Sequence, residues 1–466
     1  MFKIYITILL TALSLFSYAQ WDLETCISYA LEHNIQVKQQ DLNTKISENT
    51  NKQAKIALLP NLNFNANRAY SFGRKVDPYT NRFTDQKALN DNYGVSSSVT
   101  IFSGFQKINA IKQTKLDLLA SLQDLEKIKN DISLNVASAY LTILFDKELL
   151  KIAEEQAEIT KKQVQRTQNL VDVGNSAKGD LLQLESQYAN EQLNIVNAKN
   201  RLDIDKLSLI QLLELDSVAG FDIEEPNTDS FTYEQLPELD EVITKAQELP
   251  EIKAAEYRLQ SAQKALAIKK GSRYPVLNLS LGYNTGYSDQ RQIIDQSNPY
   301  YYIGGMTESG EAVYLMSMQN TYKTKPFSDQ LNDNRNASIG INLSIPIFNN
   351  WQANTSISNA KISVLNQEYS LKLQKNNLTK AIQQKYTEAI AARTKYMATK
   401  KTVEAAQESF KYTEEKFNVG MMSSVDYNIE KNKLIKAKSD LLQAKYEFIF
   451  KIKILDFYLG KKLSLK

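Results

Sequence analysis

The chain has 466 residues, 42% of them hydrophobic, with 56 basic and 53 acidic side chains and a formal charge of +3. That balance gives no reason to expect nucleic acid as a partner. A single cysteine, Cys26, excludes an intramolecular disulfide framework, and a single histidine, His33, with no cluster at ligand spacing, suggests neither a metal nor a cofactor.

The first residues, Met1-Phe2-Lys3, an apolar run from Ile4 to Phe16 and the small-residue ending Ser17-Tyr18-Ala19, predict a secretory signal peptide over 1–19. No later stretch reaches the ~18 to 20 continuous apolar residues of a membrane helix. An exported chain can still enter lipid as a closed β-barrel, which turns attention to short alternating segments. Trp21 to Leu59 has helical spacing and is stopped by Pro60. Asn61 to Asn67 then alternates with period two, the pattern of a strand with one apolar face. A polar stretch from about Ala69 to Asn90 is expected to be a loop, and alternation resumes from Tyr93 to Ile101.

From Gln106 to Val173 there is neither Gly nor Pro, and Leu118, Leu122, Leu125, Ile128, Ile132, Val136, Ala139 and Ile143 recur at spacings of three and four. An unbroken helix of that length would run for roughly 100 Å and must pack lengthwise against other helices. It ends at Val173-Gly174, and a second helix is expected from Asp180 to about Leu215, with Gly as C-cap and Asp as N-cap. An irregular connector, 216–237, follows.

The second half, 238–466, then repeats the first, 20–215, element by element. A helix from about Leu239 to Lys270 is stopped by Pro275; a strand runs from Leu277 to Tyr283; a longer loop, about Thr285 to Arg335, carries Tyr300-Tyr301-Tyr302. A returning strand covers Ile339 to Ile347, a second Gly- and Pro-free run covers Gln352 to Val419, and after the turn at Gly420 a last helix begins near Asp426. In both turns the Asp stands six residues after the Gly. Duplication of so large a unit differs from a solenoid of short repeats.

The fold class expected is therefore mainly α with a membrane β-barrel contribution: a duplicated unit of long coiled-coil-like helices plus two strands. Four strands per chain cannot close a barrel, and open edges are intolerable in lipid, so several copies must share one; three would supply twelve strands. Phe102, Phe105, Phe348 and Trp351, with Tyr70, Tyr93 and Tyr283, stand near strand ends as candidates for interfacial girdles.

With the duplicated Val-Gly-x5-Asp turns, the paired Pro60 and Pro275, and the junctions Ile101-Phe102-Ser103-Gly104 and Pro346-Ile347-Phe348-Asn349, the chain resembles the TolC family of outer-membrane efflux and secretion channels. The resemblance implies a homotrimer in outer-membrane lipid, a shared 12-stranded barrel and an α-helical periplasmic tunnel. It also implies a periplasmic adaptor (membrane fusion) protein and an inner-membrane pump of RND, ABC or similar class. By the same carry-over, Val173, Gly174, Val419 and Gly420 form adaptor-contact tip turns, and Asp180 and Asp426 sit by the periplasmic aperture. Met422 and Ile429 depart from the basic and acidic residues of the best-known member.

Blander readings remain open at this point. Asp180 and Asp426 also fit helix capping, the glycines fit C-caps, and a secreted or periplasmic coiled-coil scaffold or adhesin would account for the helices but not for paired strands of membrane-crossing length. No catalytic constellation can be assembled, so an enzyme is not expected. Gly174-x4-Gly179 lacks the Lys of a phosphate loop, Asp180 standing in its place.

Overall fold

The computed structural model describes residues 21–76, 81–84, 87–216, 220–226 and 236–465. The expected signal peptide lies outside the described residues, as does much of the connector. In chain order the elements are α1 (Leu23–His33), α2 (Ile35–Ile56), β1 (Asn63–Ser71), β2 (Lys75–Val76), β3 (Phe83–Thr84), β4 (Ala88–Ser103), α3 (Gln106–Asp172) and α4 (Lys178–Leu212). The second half gives α5 (Leu239–Ala246), α6 (Pro250–Gly271), β5 (Val276–Ser288), β6 (Gln292–Met306), β7 (Ala312–Thr324), α7 (Phe327–Asp333), β8 (Asn336–Ser344), α8 (Gln352–Asn418) and α9 (Ser424–Tyr458). The duplication is exact in length for the long elements: α3 and α8 each have 67 residues, α4 and α9 each 35.

Four expectations are corrected. The stretch anticipated as a loop from about Ala69 to Asn90 holds the end of β1, the β2–β3 pair and the start of β4. The helix anticipated from Trp21 to Leu59 breaks at Asn34, whose side chain accepts from the Gln36 amide at 2.9 Å and donates to the Leu212 carbonyl at 3.2 Å, so that it competes with the helical ladder. The helix anticipated from Leu239 to Lys270 breaks before Pro250, which opens α6 at the position where a missing amide costs nothing. The stretch anticipated as a loop from about Thr285 to Arg335 instead holds the end of β5, the hairpin of β6 and β7, and α7.

The chain forms two compact units, each assembled from both halves. Of the described residues, one unit draws on those within 21–49, 115–260 and 365–465, the other on those within 50–114 and 261–364. The first is helical. Leu23, Cys26 and Ala30 of α1 are buried against Ile132, Val136, Tyr140 and Ile143 of α3 and Leu209 of α4, joined by Leu442 and Ile449 of α9. The second half repeats this packing: Val242 and Ala246 of α5 and Ile252 of α6 are buried with Leu378, Ile382 and Ala389 of α8 and Leu455 of α9. Tyr140 ties the first core to the chain's return, its hydroxyl donating to the Glu224 carbonyl at 2.6 Å.

The second unit carries a four-stranded antiparallel sheet in the order β1-β4-β5-β8. Over its middle the register largely separates polar from apolar side chains, while the end remote from α3 carries the Arg68–Asp91 ion pair on the otherwise apolar face. Asn65 opposes Gly94, which opposes Asn284, which opposes Asn336, while on the other face Leu279 lies between Val99 and Ile341. Strand and helix meet through two consecutive residues in the left-handed region, Gly104 (φ 60) with Phe105 (φ 60) in the first half and Asn350 (φ 52) with Trp351 (φ 63) in the second. At Gly104 a Cβ would run into the Gly271 carbonyl and the Tyr274 side chain, so that position requires glycine for space as well as torsion.

Within the helical unit, Asp146 of α3 is 1% exposed beside Arg201, whose Nε lies 2.9 Å away, and beside the carboxylate of Asp205. Burial is the main cause that raises its pKa from 3.8 to about 7; Asp205 adds to the rise and Arg201 opposes it. A carboxyl raised in the folded state stabilises it fully below pH 3.8 and loses that contribution as pH climbs through 7. The purified protein is therefore expected to melt at lower temperature at pH 8 than at pH 5. The difference is of order a few kcal/mol at most, and Asp146→Asn should flatten that slope in thermal melts across the same range.

Candidate functional site

The residues that the sequence marks out lie in two places, one in each unit: the turns joining the long helices, and the sheet with its junctions. The turns are built alike. At the end of α3 the Gly174 amide donates to the Val171 carbonyl at 3.0 Å and the Asn175 amide to Leu170 at 2.8 Å, with Gly174 at φ 76. At the end of α8 the Gly420 amide donates to Phe417 at 3.1 Å and the Met421 amide to Lys416 at 2.9 Å, with Gly420 again at φ 76. Both are Schellman closures, in which a left-handed residue lets two amides satisfy the last carbonyls of the helix. Each turn leaves an apolar residue on its surface, Val173 and Val419 being about 70% exposed (69% and 70%).

Asp180 and Asp426 are not the N-caps that their spacing from the glycines suggests. Each sits in the first turn of its helix, at the third helical position. The N-cap of α9 is Ser423, whose hydroxyl accepts from the Asp426 amide at 3.1 Å and donates to the Asp426 carboxylate at 2.7 Å. The N-cap of α4 is Ala177, which has no side-chain acceptor, and Asp180 is held instead by the Ser176 hydroxyl at 3.3 Å. Both carboxylates stand at helix N-termini, where the helix dipole favours negative charge.

Behind the turns the two helical hairpins are tied together by contacts that sequence reasoning missed. Arg166 of α3 donates from Nη1 to the Asn418 side-chain oxygen at 2.6 Å and from Nη2 to the Asn418 carbonyl at 3.3 Å. Within the second hairpin, Tyr427 of α9, buried to 1% exposure, packs its ring 4.5 Å from Phe417 and 5.3 Å from Phe410 of α8. Deeper in, Lys431 of α9 is buried with its ammonium 3.6 Å from Glu191 of α4 and bonded to the Thr160 hydroxyl of α3. Glu191 also accepts from Gln156 at 3.1 Å and Gln187 at 2.8 Å and bonds Thr160. Burial pulls the Lys431 ammonium below its ordinary pKa, and Glu191 opposes that shift. One charge pair thus joins three helices, and its lone pairs are taken up by neutral donors, as a buried ion pair requires.

In the sheet, the face made by Asn, Ser and Gly holds a shallow hollow of about 440 Å³ lined by Asn65, Asn67, Asn92, Asn284 and Asn336. The opposite face is apolar and open, with Ile339 at 75% exposure and Ile341 at 71%. Among the described residues neither β1 nor β8 pairs with a further strand on its outer side. The candidate interface aromatics lie at the junctions. Phe102 and Phe105 meet edge to face at 5.4 Å, while Phe348 (77%) and Trp351 (66%) are exposed.

The family model described as outer membrane efflux protein matches residues 26–214 and 244–460. Among curated relatives, outer membrane protein TolC of Escherichia coli (strain K12) is 23% identical over 401 residues, covering 85% of this chain and 73% of that protein. Among solved structures, CusC superposes with a TM-score of 0.76 at 17% identity over 96% of both chains. VceC from Vibrio cholerae does so with 0.72 at 15% identity over 95% of this chain and 96% of that one. Long paired helices, a duplicated strand pair and a matching family model across both halves agree: the chain belongs to the outer membrane efflux protein family, the TolC-type channels of the outer membrane.

Proposed function

We propose that this chain is the outer-membrane duct of a tripartite efflux or type I secretion system, a homotrimer coupled through a periplasmic adaptor to an inner-membrane pump that supplies the energy. The observation that carries the reading is the four-stranded sheet with one largely apolar exposed face and two outer strands whose far edges have no partner among the described residues. In lipid such edges demand partners, and sister copies can offer them. Three sheets give twelve strands, with the Asn, Ser and Gly face turned to a watery lumen and the Leu, Ile and Val face to hydrocarbon. Selectivity then belongs largely to the pump, since the lumen face contains no charged residue from Asn63 to Asn67 or from Asn278 to Asn284.

The tip turns are the adaptor-docking sites in this reading. Val173 and Val419 present exposed apolar contacts on two turns of the same backbone form, so one kind of adaptor hairpin can engage both. Asp180 and Asp426 sit just inside the turns, and three copies of each form carboxylate rings at the aperture that favour cations. No catalytic role is assigned to any residue.

Two experiments test this. The detergent-extracted protein is expected to run as a heat-labile trimer on SDS gels and to conduct ions in planar bilayers; a water-soluble monomer without conductance would instead establish the scaffold reading. Replacing Asp180 and Asp426 with Ala together should leave the trimer intact and lower cation preference, read as a shift of reversal potential in a salt gradient. An unchanged reversal potential would remove both carboxylates from the pore lining.

A further inference from the structure

The hairpin of β6 and β7 is the part of the chain that the channel reading leaves without a task. Its strands pair from Gln292 opposite Thr324 to Met306 opposite Ala312. Its base is fixed to the sheet. Gln330 of α7, fully buried, accepts from the Ser288 amide at 2.9 Å and donates to the carbonyls of Ser288 at 2.9 Å and Lys325 at 2.8 Å. Asn334 donates to the Gly286 carbonyl at 2.7 Å, and Arg291 pairs with Asp333 at 3.1 Å. The hairpin is therefore a held projection, and it leaves β5 at the end remote from α6.

Residues that face each other across a ladder share a side of the sheet. Pro299 faces Met318, Tyr301 faces Met316 and Ile303 faces Tyr314. This makes one side of the hairpin an unbroken apolar and aromatic strip, with Tyr301 at 66%, Tyr314 at 63% and Met316 at 61% exposure. Charge is confined to the ends: Asp295 pairs with Lys323 at 2.8 Å near the base, and Glu308 and Glu311 sit in the turn. Among the described residues neither strand pairs with a third. A lone two-stranded hairpin is marginal in water, and a contiguous apolar strip of this kind marks an interaction surface.

We infer that the strip is covered by the same hairpin of sister subunits, so that the hairpins of one assembly form a tyrosine and methionine collar at the outer mouth and restrict entry of bulky solutes there. The inference rests on the trimeric channel reading. Two observations favour a second copy over other occupants. The hairpin is followed through the seven residues of α7 by β8, the sheet's outer strand, so it rises beside the seam that a sister chain must complete. The strip also contains no charged residue, so it offers nothing to a phosphate-bearing headgroup or a charged ligand and complements another copy of itself. Methionine side chains adapt to the small mismatches of such a contact.

The test uses the full chain in detergent with one introduced thiol. Cys26 does not interfere, being fully buried with its thiol pushed up to about 12 by burial. Met316→Cys lies on the strip and Gln319→Cys on the opposite side of the same strand. With a short bis-maleimide, Met316→Cys is expected to shift the boiled band from monomer to dimer, and Gln319→Cys is expected to stay monomeric. A companion variant, Tyr301→Glu with Met316→Glu, should raise sensitivity of cells to vancomycin while the trimer persists. An intact unboiled trimer without a Met316→Cys dimer would overturn the collar, as would equal crosslinking of both variants or adducts of a foreign mass. Unchanged vancomycin sensitivity would overturn its role as a barrier. Loss of the trimer in the unsubstituted protein would strike the channel reading instead.

Discussion

A backbone amide buried in hydrocarbon finds no water, and each unsatisfied one costs several kcal/mol. Much of this chain's organisation answers that constraint. Two strand pairs, one from each half, join side by side so that β4 and β5 are satisfied on both sides, and within this sheet, among the described residues, β1 and β8 retain open rows of donors and acceptors. A duplicated sequence is well suited to this, because an element repeated within the chain is one step from an element repeated between chains. The alternation of polar and apolar side chains then follows from the two solvents the sheet separates, and a slip of one residue would invert them.

The helical unit meets a different demand. Helices of 67 residues cannot form one compact core, and their apolar stripes are narrow. Packing is therefore supplemented at intervals by polar contacts with fixed geometry: the Arg166 guanidinium on Asn418, and the Lys431 ammonium held with Glu191 and Thr160. Replacing such buried groups with apolar ones is often neutral for stability, so their contribution lies chiefly in register. A helix that slides by one turn loses its partner charge, whereas an alanine or leucine stripe tolerates the slip.

Much of this was legible in the residues. The long helices were visible because nothing in them interrupts and a left-handed glycine ends each, and their bounds fell within a residue of Gln106, Asp172, Gln352 and Asn418. The strands of the sheet declared themselves by alternation. What was missed has physical reasons. Asn34 reads as neutral in a helical stretch, and only its reach to Leu212 makes it a break. Pro250 was a signal in plain sight that outweighed the periodicity around it. The β6–β7 hairpin hid because register shifts at Asp295 and Gly304 reset its period, and because Tyr300 and Tyr302 place apolar groups on the side opposite Tyr301. Lys431 and Glu191 were invisible, since a charged residue on a long helix is ordinarily solvated and nothing local distinguishes these two.

The glycines that close the two long helices have a consequence for how such a protein can change. A Cβ built on Gly174 or Gly420 meets nothing within 4 Å, so what glycine supplies there is torsion alone. The exposed neighbours around each turn are likewise unconstrained by packing. A lineage can rewrite the relief of these knuckles one residue at a time while the hydrogen-bonded closure beneath keeps its form, so the surface of the turns can diverge without the rod being rebuilt.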